Sequence, residues 1–117
     1  MNGTSLSEYD EKKVAWWTWH LENPSVWENF EAYADQMRSS GRKKSSAWLV
    51  VNRIRWEVNL TTTGEFKISN DFIGFYARYY MMSMADRHCF FDIKPMIGEP
   101  FEQVRALCGY TPRKEAA

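Results

Sequence analysis

The sequence predicts a mainly α domain, or a small α+β one: a compact set of three to four helices with one short two-stranded element. Three observations predict it. The chain has 117 residues, a length that suits one core, because such a domain buries roughly two-thirds of its unfolded surface. Apolar residues recur at helical spacing in two segments, and a third segment is apolar almost all round. Two short stretches, Phe66–Ile68 and Cys89–Lys94, are the strand candidates. Residues 1–11 are small and polar and are expected to be disordered; 12–109 form a single mainly helical domain, and 110–117 a flexible tail.

Val14 to Leu21, "VAWWTWHL", is apolar and too short to assign; strand, helical turn and packed arm all remain open. The next segment reads clearly as a helix. Asn23 is placed to cap it with Pro24 at the first position, and Ser25 with Glu28 offers an alternative capping box. Val26, Phe30, Tyr33 and Met37 then recur every three or four residues, and Gly41 is placed to end the helix. Glu28, Glu31 and Asp35 fall on its water side.

Arg42 to Ser46 reads as a loop, with Ser45 or Ser46 as the cap of a second periodic helix. On that helix Ala47, Val51, Ile54 and Val58 share a core face, while Asn52, Arg55, Trp56 and Asn59 lie opposite and Arg53 can pair with Glu57. Threonines and Gly64 break it. Ser69 or Asn70 caps a third helix, "DFIGFYARYYMMSMA", which leaves only Gly74, Arg78 and Ser83 for water and is therefore central or half of an interface. Pro100 to Cys108 makes a last short helix.

Composition narrows the function classes. Formal net charge is zero, but residues 1–41 hold three Lys/Arg against seven Asp/Glu, and residues 42–58 hold five against one. A dedicated duplex binder carries a larger basic excess, so any nucleic-acid role rests on one local patch. No apolar run reaches the roughly 18 to 20 residues of a membrane span. The N-terminus has no export leader, so the chain reads as intracellular, with Cys89 and Cys108 as reduced thiols.

Catalytic and metal chemistry lack support in the spacing. His20, His88, Cys89 and Cys108 form no zinc motif, and no phosphate-cradling glycine loop is present. The reading is non-enzymatic, with no cofactor and no metal. The remaining asset is basic and aromatic: Arg42, Lys43, Lys44, Arg53 and Arg55 as phosphate contacts, with Trp56 or Trp48 as a stacking platform. Against it stands the plain alternative of solvated lysines and arginines paired with Glu57 and the acidic first helix. A helix-turn-helix is disfavoured, because the break before the next helix is longer than the usual three to four residues.

The runs "NPSVWENF", "SSAWLVVNRIRWE", "TTTGEFKISN" and "FYARYYM", followed by Phe90 and Phe91, resemble a family of small uncharacterised bacteriophage and prophage proteins, over about Asn23 to Lys94. The most specific elements are Arg53-Ile54-Arg55-Trp56-Glu57, Phe66-Lys67-Ile68 with Asn70, and Tyr76-Ala77-Arg78; Lys94 stands where an arginine is frequent in the family. The resemblance implies a viral origin, action in the host cytoplasm, and no known activity. Small phage proteins of this kind act by binding, which leaves three expectations. Nucleic acid through residues 42–58 is slightly preferred. The alternatives are a host-protein inhibitor or modulator using an aromatic and Met-rich surface with Trp17 and Tyr80, and a small structural or assembly component, such as a homodimer joined through the third helix.

Overall fold

The computed structural model describes residues 7–61 and 68–108. Its elements are α1 (Glu8–Glu22), α2 (Pro24–Ser39), α3 (Ala47–Thr61), α4 (Asn70–Ser83), a 3-10 turn at Ala85–Arg87, and α5 (Phe101–Cys108). The protein is mainly α, as its periodicity predicts.

The additional helix is α1, which resolves the open assignment of "VAWWTWHL". It also begins earlier than the end of the stretch expected to be disordered. Ser7 Oγ accepts the Asp10 N–H at 3.1 Å, capping a first turn rich in carboxylates. Tyr9 is then buried against Phe75, with ring centroids 5.8 Å apart, so residues 8–11 are held by packing as well as by the cap.

Asn23 ends α1 and begins α2 at once. Its side-chain amide donates to the Trp19 carbonyl at 2.9 Å, closing α1, and Pro24 opens α2 without needing a donor. Val26, Phe30 and Ala34 are buried along α2, with Tyr33 and Met37 half-buried beside them. Gly41, at φ 99°, takes the left-handed position that ends the helix; its N–H meets the Arg38 carbonyl and that of Arg42 the Met37 carbonyl.

Helix α4 is the hub. Ser69 Oγ caps it at the Phe72 N–H, and it packs against α1, α2, α3 and α5. Helices α1 and α3 each pack against α2 and α4 and do not meet among the described residues. Phe30, Tyr76, Tyr80, Phe91 and Ile54 are fully buried at this junction; each such side chain contributes on the order of 1.5–3 kcal/mol. Trp27 stacks on Tyr76 with the planes 10° apart, and Trp16 meets the same ring edge-on. His20 sits among Trp16, Trp17, Trp27, Tyr76 and Tyr79, its Nδ1 3.2 Å from the Tyr76 hydroxyl. Burial pushes the Tyr76 hydroxyl up and the His20 imidazole down from their ordinary values.

Several expectations are corrected here. The two-stranded element is not seen among the described residues: one isolated parallel bridge joins Ser45 to Phe91. Cys89 takes a left-handed φ of 66°, and both Phe90 and Phe91 turn into the core, so "CFFDIK" hooks inward where an alternating strand would expose every second residue. Phe66 and Lys67 lie outside the described residues, as does the tail from 109; Ile68 is half-buried and in no strand.

Arg78 does not face water. It is buried and pairs with Glu99, donating from Nε and from Nη2 (2.7 Å), and it also donates to the carbonyls of Gly74 (2.9 Å) and Lys94 (2.7 Å). Glu99 in turn accepts the Met96 N–H, so one buried ion pair ties the segment 94–99 to α4. Glu28 is exposed as expected, and Glu31 and Asp35 stay partly in water but are also paired, because Arg87 donates to both, at 2.8 and 3.0 Å. The Tyr80 hydroxyl joins them, donating to Asp35 at 2.6 Å. No described helix is long and apolar enough to cross a membrane.

Candidate nucleic-acid interface

The loop between α2 and α3 is short and its backbone is anchored at Ser45. Ser45 N–H donates to the Phe90 carbonyl at 2.8 Å, and the Ser45 side chain is buried against Met37 sulfur, 3.2 Å away. The residues before it project outward. Arg42, Lys43 and Lys44 are all exposed. Arg42 reaches the Ser45 hydroxyl at 3.5 Å, Lys44 pairs with Asp92 at 2.9 Å, and Lys43 forms no ion pair among the described residues.

Ser46 then caps α3 by accepting the Trp48 N–H at 3.1 Å. The buried stripe is Ala47, Val50, Val51 and Ile54, close to the one the spacing predicts; the Val58 and Asn59 side chains lie outside the described ones. The opposite side carries Trp48, Asn52 and Trp56 at intervals of four, with Leu49 and Arg53 alongside. Trp48 is 56% exposed and Trp56 64%. These exposures are large for indoles, which ordinarily contribute their area to a core or an interface.

Asn52 Nδ2 donates to the Trp48 carbonyl at 2.8 Å, and Arg55 Nη1 donates to Asn52 Oδ1 at 3.2 Å, which leaves Arg55 half-buried along the helix. Arg53 takes a partner other than the expected Glu57: its guanidinium lies 4.4 Å from the Tyr33 ring centroid. Resting on a ring leaves the guanidinium edge available for an anion. Beside Trp48, a groove of about 590 Å³ runs between α3, α4 and the segment 92–96, with Lys94 and Asp92 among its lining residues.

The predicted site residues therefore divide. Arg42, Lys43, Lys44, Arg53 and Trp56 all reach the surface on the loop and outward face of α3, and Arg55 lies at its edge. Of the two partner-binding candidates, Trp17 is 41% exposed on α1, whereas Tyr80 is fully buried. Tyr80 fails as a contact residue because position 80 of the central helix points at α2, where its hydroxyl binds Asp35 and the Arg87 guanidinium covers its ring at 4.3 Å. Leu49 is a surface residue that sequence reasoning missed; its offset from the 47/51/54/58 stripe was the available signal.

Compared with protein families, curated proteins and solved structures, the chain matches none at a significant level.

Proposed function

We propose that this is a non-enzymatic, phage-encoded regulatory protein that acts in the host cytoplasm by binding single-stranded nucleic acid across the outward face of α3. One observation carries the reading: two exposed indoles, Trp48 and Trp56, stand on the outward side of α3, with the exposed Arg53 at its edge and the exposed cations Arg42 and Lys43 in the loop that leads into the helix. Indoles accept any base by stacking, and cations track the phosphates, so the combination suits a strand whose bases are unpaired. Lys44 contributes once it leaves Asp92, an exposed partner that a phosphate displaces at small cost.

The test is fluorescence anisotropy of labelled single-stranded and duplex oligonucleotides at about 50 and 200 mM salt. Single-strand affinity should fall about seven-fold between those salts for two phosphate contacts and about fifty-fold for four. Trp56→Ala should weaken binding at both salts. Equal affinity for duplex and single strand, or no binding at the lower salt, would refute the proposal.

A further inference from the structure

A cleft of about 190 Å³ opens to solvent between α1 and α4. Two tryptophans of α1 and two rings of α4 frame it. Trp16 stacks on Phe75 with the centroids 5.6 Å apart, and Trp17 meets Tyr79 edge-on at 5.8 Å. The ring pairs hold one another in place, so the walls are formed before anything enters. An apolar cavity of about 150 Å³ accepts benzene, whereas drug-sized ligands take clefts of about 300 Å³ or more. This cleft therefore suits one aromatic ring with a small substituent.

Its polar groups are few and specify the substituent. Lys13 and Arg78 line the cleft, and no carboxylate does. The charge of Arg78 is already met by Glu99. Lys13 is half-buried with its Nζ 5.8 Å from the Tyr9 ring centroid, and it forms no ion pair among the described residues. Tyr9, only 4% exposed, also lines the cleft, together with Gln103. Its hydroxyl accepts from Gln103 Nε2 at 3.3 Å and donates to no acceptor among the described residues. The wall thus carries one ammonium without a counter-charge and one buried hydroxyl proton without an acceptor, and both are donors that an anion satisfies.

We infer that the cleft binds a small aromatic monocarboxylate, with its ring among Trp16, Trp17, Phe75 and Tyr79 and its carboxylate accepting from Lys13 Nζ and the Tyr9 hydroxyl. A neutral ring fills the same space and leaves the ammonium unmet. A cationic ring sets its charge against Lys13, and a dianion brings a second charge for which the wall has no free cation. The site is built from α1, α4 and Gln103 of α5 and shares no residue with the α3 surface, so it does not depend on nucleic-acid binding.

Titration of the full chain with benzoate, followed by proton–nitrogen correlation NMR near neutral pH, tests it. Benzoate should bind saturably in the millimolar range or tighter, with nuclear Overhauser contacts from its ring protons to Trp17 and Phe75. Benzamide, of the same size without the charge, should bind about five-fold more weakly, the share of one partly solvated charge pair, and benzylammonium more weakly still. Lys13→Gln should lower benzoate to the level of benzamide and leave benzamide unchanged, a split that a general loss of structure does not produce. Lys13→Glu should invert the order, so that benzylammonium binds better than benzoate. Absence of saturable binding overturns the inference, as do Overhauser contacts to another part of the molecule, benzamide binding as tightly as benzoate, or benzoate affinity that is indifferent to Lys13→Gln.

Discussion

Arg78 and Arg87 sit in α4 and the turn after it, and Arg53 and Arg55 sit in α3, yet the four arginines serve different ends. Arg78 is enclosed with Glu99 and two carbonyls, and Arg87 binds Glu31 and Asp35 while covering the Tyr80 ring. Their charges are met within the fold. Arg53 rests on Tyr33 and Arg55 on Asn52, with no carboxylate closing on either among the described residues. Charge that the fold has neutralised holds segments together, whereas charge left with neutral neighbours remains available to an outside anion.

Substitutions should separate the two sets. The largest effect is expected for Arg78→Ala, which leaves Glu99 buried without its cation and should cost about 3–5 kcal/mol of stability by urea denaturation. A loss below about 1 kcal/mol would mean that Arg78 is no more structural than a surface residue. Arg87→Ala should cost about 2 kcal/mol, less because Glu31 and Asp35 are partly solvated and can return to water. Trp56→Ala should reverse the pattern: stability within about 0.5 kcal/mol of wild type, and single-strand affinity weaker by about 1–3 kcal/mol for the lost stack.

The smallest effect is set by pH. Burial holds His20 below its ordinary value of 6.5, so the unfolded chain takes up a proton more readily than the folded one. This contribution is complete above that pH and is lost as the pH falls below it. Trp27 of α2 and Tyr76 and Tyr79 of α4 face the ring. Denaturation midpoints near pH 7.5 and 5.5 should show the decline, and His20→Gln should remove it. Stability that rises on acidification would contradict the assignment of His20 as a buried neutral imidazole.

These contrasts also explain what the sequence could disclose. Helix α2 was legible because its signals are local: a proline at its start, a glycine at its end and a regular stripe between. The third predicted helix proved central for the reason its all-round apolarity implied. Helix α1 was hidden by its tryptophans, which point both into the core (Trp16) and out of it (Trp17), so no period emerges. Arg78 was misread as a water-facing residue because its partner lies 21 residues away and nothing local announces it. The α3 surface was foreseen from opposite-face spacing, but which arginines meet a ring, an amide or a carboxylate depends on tertiary neighbours such as Tyr33, which pattern alone does not supply.

The measurement that tests the central claim most directly is the slope of log affinity against log salt for a single-stranded oligonucleotide, compared between wild type and Lys43→Ala. If Lys43 meets a phosphate, the variant's slope should be shallower by about 0.7, the share of one contact on a single strand. An unchanged slope, or no measurable binding by the wild type, would contradict the assignment of the loop and α3 as a nucleic-acid surface.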